Sequence, residues 1–306
     1  MIIPILKSYK NTSFFFALKA IVFILIMVLI SSCTTKTTKA RFKLPPALKE
    51  VSGLYLQNPQ SFWWLNDGGH PSTLYKTNGR GQVTDSLHFP SIRNRDWEDL
   101  TTDDKGNIYI GDFGNNNNKR QDLRIYIYNQ ESQQLDSILF SYSDQKQFPP
   151  SRAHWNFDME AFLWHNEKLH LFSKNRVGQG NYYCKHYTLM DKAGEQNAIL
   201  KDSIYLKDRV VTAAAISPDK KTVALLAYDY KRIFGFFPFS KASIFYFTDF
   251  EGDDFFKGSL RKRRAPSFII ATQFESLDFL DDGKLYIASE QTVFIKPKAK
   301  RVRVRK

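Results

Sequence analysis

The residues best suited to chemistry in this 306-residue chain are carboxylates at a repeated spacing. Glu98 and Asp112 stand fourteen positions apart, as do Glu160 and Lys174, and Glu275 and Ser289. In an antiparallel hairpin with a tight turn halfway, such residues face one another with Cβ atoms about 4.5–5.5 Å apart. Glu160 with Lys174 is then an opposite-charge pair, and Glu275 with Ser289 a hydrogen-bonding pair. Glu98 with Asp112 differs, because two carboxylates at a partly enclosed strand end repel unless they share a proton, meet a base or hold a cation. Glu98 and Asp112 are therefore the metal candidates, with calcium or another divalent cation as the ion. Asn66, Asp67, Asp96, Trp97, Asn115, Asn116 and Glu275 are the ligand-binding candidates around them, and Asp99 adds a further oxygen donor. The competing reading is a salt-bridge network drawing on Lys174, Arg95 or Arg120. A cation here would polarise a phosphoryl or carbonyl oxygen and activate water, with Glu160 as base and Lys174 stabilising developing negative charge.

These residues need elements that bring them together, and the chain repeats one. Ser52-Gly-Leu-Tyr-Leu56, Glu98-Asp-Leu-Thr-Thr102, Glu160-Ala-Phe-Leu-Trp164, Ala214-Ala-Ile-Ser217 and Glu275-Ser-Leu-Asp-Phe279 share a form: a short second residue, then a large apolar one. Each is followed by a turn, such as Asp104-Lys-Gly106 or Asp281-Asp-Gly283, and by an apolar run such as Ile108 to Ile110 or Leu285 to Ala288. Further strand-like runs lie between hairpins, at Ser72 to Lys76, Leu123 to Tyr128, Tyr182 to Tyr187 and Ser243 to Phe247. Successive first residues are 46, 62, 54 and 61 positions apart, room for four strands per unit. The expectation is an all-β chain, a β-propeller with four-stranded blades over residues 44–306, in which the first residue of each unit opens an innermost strand at the mouth of a central channel. Five blades are favoured, with six as the alternative. A sandwich fits equal hairpins at this spacing less well.

Several blocks also carry a family likeness. Leu65-Asn-Asp-Gly-Gly69, Asp96-Trp-Glu-Asp-Leu100, Ile110-Gly-Asp-Phe-Gly-Asn-Asn116, Asp158-Met-Glu-Ala161 and Phe172-Ser-Lys174 resemble the signature run of secreted bacterial propellers, among them phytase-like esterase propellers and a broad group of lipoproteins. The resemblance covers residues 44 to about 295 and implies six blades, which is why that count stays open. Ala213-Ala-Ala215 departs from the Gly-Ala-Asp pattern of such proteins, so no ligand role carries over to the fourth repeat.

The first 32 residues are read apart from the fold. Lys7, Lys10 and Lys19 precede an apolar run from Ala20 to Ile30, too short to span a bilayer as a helix but suited to a signal-peptide core. Ile30-Ser-Ser-Cys33 resembles a bacterial lipobox, making residues 1–32 a lipoprotein signal peptide, Cys33 the lipidated residue that joins the chain to a membrane, and 33–43 a tether. Thr34 resembles outer-membrane sorting, with the domain facing the periplasm. An uncleaved anchor helix is the alternative.

Lys and Arg number 44 against 31 Asp and Glu, and removing residues 1–32 lowers the charge from +13 to +10. Most of that excess sits at 261–264 and 296–306, a concentration unlike a nucleic-acid surface, where charge is spread and interleaved with aromatics. Arg301-Val-Arg-Val-Arg-Lys306 reads as a solvated edge strand guarded by its charge, with anionic headgroups as the alternative use. Two cysteines exclude a disulfide framework, and Cys184 reads as a small buried strand residue. Neither His-Glu-x-x-His nor Gly-x-Ser-x-Gly nor a Gly-x-x-x-x-Gly-Lys loop occurs. The aromatic stretch Ile233 to Phe239 suggests an envelope protein partner or simple packing. The leading functional expectation is a module that binds a partner or an anionic small molecule through the acidic mouth. The alternative is divalent-metal-dependent hydrolysis of phosphoesters or other anionic esters, and a purely structural role for the acidic site is a third reading.

Overall fold

The computed structural model describes residues 38–174, 182–233, 237–265, 273–292 and 295–304, with the side chains of 230–240 outside that description. The described part of the chain is all-β, with three single-turn 3-10 segments and no α-helix. After β1 (Arg41–Lys43) comes a first antiparallel set, β2 (Val51–Asn58), β3 (Ser61–Asn66), β4 (Thr73–Thr77) and β5 (Val83–His88). A second set is β6 (Trp97–Thr102), β7 (Asn107–Asp112), β8 (Leu123–Asn129) and β9 (Leu135–Tyr142). A third is β10 (Met159–His165), β11 (Lys168–Ser173), β12 (Tyr183–Met190) and β13 (Gly194–Tyr205). Parallel pairing of β13 with β9 joins these two sets into one eight-stranded sheet. The fourth set is β14 (Val210–Ile216), β15 (Val223–Ile233), β16 (Phe237–Thr248) and β17 (Ser259–Arg264). In the closing sheet, β18 (Phe274–Asp281), β19 (Lys284–Ser289) and β20 (Lys298–Arg303) are completed by β1 from the other end of the chain.

Strands such as β3, buried along its whole length, pack on both faces, which is why they read as continuous apolar runs and not as alternating ones. Five hydrophobic clusters account for this. Each combines residues of two neighbouring sets, and the last unites the closing sheet with the first set. There Phe42 of β1 meets Phe62 edge-on at 5.5 Å, and Phe62 meets Tyr286 edge-on at 5.2 Å, contacts worth about 0.5–1.5 kcal/mol each beyond their burial. The first strands β2, β6, β10, β14 and β18 neighbour one another in a closed circuit, so the layers wrap around a common axis. Thr38–Lys306 is one compact unit, and every described strand and cluster lies within it.

Side chains tie the inner strands laterally. The Asp99 carboxylate of β6 accepts backbone N–H groups from Leu100 at 2.9 Å and Phe162 at 3.2 Å, and also from Ala214. Thr212 Oγ1 donates to the carbonyl of Phe274 at 2.8 Å, and Asp278 accepts the N–H of Leu56 at 2.6 Å. Between β2 and β6 the link is a close approach at Gly53, where a Cβ would lie 2.6 Å from Leu100 Cδ2 and 2.8 Å from its nitrogen.

Three sequence expectations change here. The tether was placed over 33–43, but Arg41–Lys43 is a paired strand, because its alternation buries Phe42 while Arg41 and Lys43 stay outside. The basic run near the C-terminus was expected as an edge, but β20 lies inside its sheet, flanked by β19 and β1, and β1 is the edge. The fourth unit was framed on Ala214, but the structural equivalent of Glu98 and Glu160 is Thr212. Residues 1–32 and Cys33 lie outside the described residues, as do the side chains of the aromatic stretch 233–239.

Candidate functional site

In all five inner strands the register slips by one residue near the start: between Val51 and Leu54, Trp97 and Asp99, Met159 and Ala161, Val211 and Ala213, and Phe274 and Ser276. A bulge inserts an unpaired residue and re-aims its side chain. The residues so placed are Ser52, Glu98, Glu160, Thr212 and Glu275, all buried. The fourteen-residue spacing therefore does not mark cross-strand partners. Asp112 pairs with Trp97 and Ser289 with Phe274, and Lys174 donates its backbone N–H to Asp158. The three glutamates nevertheless converge: Glu160 is the leading charged neighbour acting on Glu98, and Glu275 acts on Glu160.

Among the described residues, the carboxylates that group in threes form a different set from the expected pair. One carboxylate oxygen from each of Asp67, Asp96 and Glu98 lies within 4.8 Å of the others. Asp67 follows β3, whereas Asp96 precedes β6 and Glu98 is its bulged residue. Asn94 holds the two loops in register, donating from Nδ2 to the carbonyls of Asn66 at 3.2 Å and Asp67 at 2.9 Å while accepting the N–H of Trp97 at 3.0 Å. Two glycines make room. A Cβ on Gly114 would lie 2.5 Å from Asp96 Oδ2 and closer still to Glu98 Oε1, and a Cβ on Gly68 would lie 2.6 Å from Asp96 Oδ1.

Burial first, then Glu275 and Asp96, lifts the Asp67 carboxyl to about 7, against the pull of the Gly68 N–H. Burial and then Asp158 lift Asp96 to about 6, despite Arg120. Glu98 is pushed well above the ordinary range by burial and by Glu160, Asp67 and Asp96. Glu275 also acts on a further carboxyl: burial, then the charge of Glu275 and a hydrogen bond with it, raise Glu290 to about 10. Among the described residues, the ammonium that bonds a carboxylate of this group is that of Lys174. Lys174 bonds Glu160 at 2.5 Å; burial opposes its charge, but Glu160, Tyr228, Glu275 and Asp158 outweigh that and hold it protonated.

The other expected residues have different work. Asp112, expected as a metal ligand, is buried beside the triad but not part of it: it accepts Arg120 Nη2 at 3.0 Å and the backbone N–H groups of Arg95 and Asp96. Arg120 also donates to the carbonyls of Asp112 and Gly114, so this is the salt-bridge network raised as the alternative. Trp97 is wholly buried against Phe89 and Tyr126. Asn115 is a strut, its N–H donated to Asp158 at 2.7 Å, its Nδ2 to the Phe157 carbonyl, and its Oδ1 accepting the Arg120 N–H. Asn116 is exposed on the same loop. Asn66 is buried and donates to the Ala47 carbonyl at 2.7 Å, while its Oδ1 meets no donor among the described residues. Glu160 and Lys174, expected as base and electrophile, are bonded to each other. Sequence reading missed Asn94, Glu290 and Tyr228; Glu290 directly follows the position paired with Phe274, a signal that was available.

At the other end of the inner strands a pocket of about 200 Å³ is lined by Tyr55, Thr102, Trp164, Ile216, Lys220 and Asp278, among others. Cys184 is buried and free, its thiol pushed up by burial.

The arrangement matches solved β-propellers. An α-L-arabinanase from Penicillium chrysogenum, solved with arabinobiose, superposes with a TM-score of 0.51 at 9% identity, covering 87% of this chain and 98% of that one. The Dos1 propeller matches at 0.39 and 7% identity over 78% of this chain and 52% of its own, so the chain spans about half of that protein's length. The tricorn protease matches at 0.35 and 10% identity over 82% of this chain and 20% of its own. No family model matches the sequence, and no curated protein does. At these identities the likeness shows the fold, a β-propeller built of four-stranded sheets.

Proposed function

We propose that this chain is a five-bladed, lipid-anchored envelope propeller that binds its ligand through the acidic end of the channel, where Asp67, Asp96 and Glu98 hold a hard divalent cation. The observation that carries the reading is the triad itself: three carboxylate oxygens within 4.8 Å, from two different sheets, in a space that two glycines keep open. An all-oxygen donor set with three negative charges suits calcium, which takes six to eight oxygen ligands and tolerates irregular geometry. The remaining positions would be filled by water or by oxygens of an anionic small molecule or an envelope protein partner. The blade count rests on the closed circuit of β2, β6, β10, β14 and β18. Anchoring through Cys33, at an outer membrane and facing the periplasm, rests on the apolar run and the Ile-Ser-Ser-Cys sequence. Loss of palmitate labelling in Cys33→Ala tests it.

Hydrolysis ranks second. It asks Glu160 to accept a proton, and the Lys174 ammonium already bonds that carboxylate. The test is calorimetric titration of the purified chain with calcium, magnesium and manganese, alongside a chelator melt and a phosphatase and esterase panel. Stoichiometric calcium binding that disappears in Glu98→Gln supports the cation site. No binding in the parent, or equal binding in the variant, overturns it.

A further inference from the structure

The strands at the outer edge of the molecule differ sharply in charge. β5, β9 and β13 carry Asp85, Asp136, Glu195 and Asp202, with Lys201 their only Lys or Arg. β17 and β1 carry Arg261, Lys262, Arg263, Arg264, Arg41 and Lys43 and no acid, and neither does β20, which lies next to β1. Register places six of these cations along one groove. Arg41 lies opposite Lys300, and Lys43 opposite Lys298, so all four share a face of the closing sheet. Val302 is on that same face by alternation, and it packs in the cluster that contains Ile244 and Tyr246 of the fourth set. Those two residues lie opposite Arg263 and Arg261. The groove between the fourth set and the closing sheet is thus flanked by Arg261 and Arg263 on one wall and by Arg41, Lys43, Lys298 and Lys300 on the other. The Arg263 guanidinium crosses it to the carbonyl of Arg303. Burial and then the neighbouring Arg41 hold both Lys298 and Lys300 below the ordinary lysine value, which is what crowded like charges do.

We infer that this basic groove docks on an anionic phospholipid surface. Two observations choose that occupant. First, β1 is the first described strand, and Arg41 lies eight positions after Cys33. Eight positions of chain reach at most about 29 Å, so an anchor at Cys33 would keep this edge of the molecule within that distance of the bilayer and raise its effective concentration there. This step rests on the proposed anchoring; the charge pattern does not. Second, the residues between the cations are Val, Ala, Leu and Ser, and the single aromatic of these strands, Phe42, is buried. A groove for single-stranded nucleic acid would interleave exposed aromatics for base stacking.

The experiment uses the chain from Thr38, which contains every described strand and cluster, with its melting transition as the check on folding. Sedimentation with vesicles of phosphatidylcholine alone or mixed with phosphatidylglycerol is the readout. Binding is expected only to the mixed vesicles and falls as salt rises. Each of Arg261→Gln, Arg263→Gln, Lys298→Gln and Lys300→Gln weakens it about fivefold, and the four together on the order of several hundredfold. Lys105→Gln with Lys192→Gln, exposed and in turns of other sets, leaves binding unchanged. So does Glu98→Gln, which separates this test from that of the cation site. Equal binding to neutral vesicles, no binding to anionic ones, an equal loss in the control lysines, or tighter binding to DNA than to vesicles overturns the inference.

Discussion

Glu98 and Asp99 are adjacent, buried and both carboxylic, yet they have opposite surroundings. Asp99 points along the regular part of β6 into the packed ring, where three backbone N–H groups from three inner strands end on its oxygens. Glu98 is the bulged residue, turned to the mouth, and its neighbours are Glu160, Asp67 and Asp96. A carboxylate surrounded by donors is a structural tie, whereas one surrounded by carboxylates stores repulsion that a proton or a cation relieves. A one-residue slip in register separates the two roles.

The largest effect should come from breaking the tie. Asp99→Ala leaves three N–H groups without an acceptor in the ring, and an unpaired buried donor costs about 1–3 kcal/mol. A loss of at least 3 kcal/mol in urea unfolding is expected, the same with or without calcium. A loss that calcium restores would mean that Asp99 belongs to the mouth after all. Next is Gly114→Ala, whose new methyl must displace the Asp96 and Glu98 carboxylates. Calcium affinity should fall about a hundredfold, with about 1–3 kcal/mol of stability lost to overpacking.

Glu98→Gln is the sharper probe of the contrast. It keeps the shape, removes one charge from the triad and should weaken calcium binding by tenfold or more, while the cation-free protein becomes no less stable, since a repulsive charge has gone. A variant less stable than the parent in chelator would show that Glu98 has a donor it depends on.

How much of this was visible beforehand divides along the same line. The inner and second strands were legible because both of their faces are buried, and an apolar run beside a turn is a strong signal. The strand β5, exposed along nearly all its residues, and the three-residue β1 carry almost none. In the site, the acidic blocks were recognisable as chemistry, but their partners were not. Equal hairpin arms suggested Glu98 opposite Asp112, and a bulge shifted that register by one, handing Asp112 to Arg120 and bringing in Asp67 from the preceding sheet. Bulges depend on how neighbouring strands crowd the axis, and Ser52, Glu98 and Thr212 share no residue type that would announce one. In the fourth unit the alanine run hid the frame, so Thr212 was passed over for Ala214.

Titration offers a smaller effect with a definite sign. Asp67 at about 7 and Asp96 at about 6 both lie above their unfolded value of 3.8, so the native state holds those protons more tightly. Their contribution to stability is therefore greatest below about pH 4, where both states are protonated, and falls as pH rises to about 7. Without cation the chain should melt lower at pH 8 than at pH 5. Calcium should cancel the difference, and its affinity should rise on the order of tenfold per pH unit where a proton is displaced. A melting temperature that climbs with pH in chelator would place donors, not carboxylates, around the triad.

Asp278 lies between the two cases and yields the smallest effect. It accepts the N–H groups of Leu56 at 2.6 Å and Phe279 at 2.8 Å, as a tie does, and burial lifts it to about 7, as burial also lifts Asp99 well above the ordinary range, yet it alone of the two borders the pocket at the far end of the channel. Asp278→Asn keeps an acceptor and removes the charge. Below about pH 4 the parent is neutral there in both the folded and the unfolded chain, so the two proteins should unfold alike. Above pH 7 the parent carries a buried charge that the variant lacks, and the variant should be more stable by no more than about 1 kcal/mol, because water in the pocket screens part of the cost. If the variant is less stable at pH 8, the two N–H groups outweigh burial and Asp278 is a tie like Asp99. If the gain appears, an inner-strand carboxylate can be half satisfied, and its duty follows from how many backbone donors reach it.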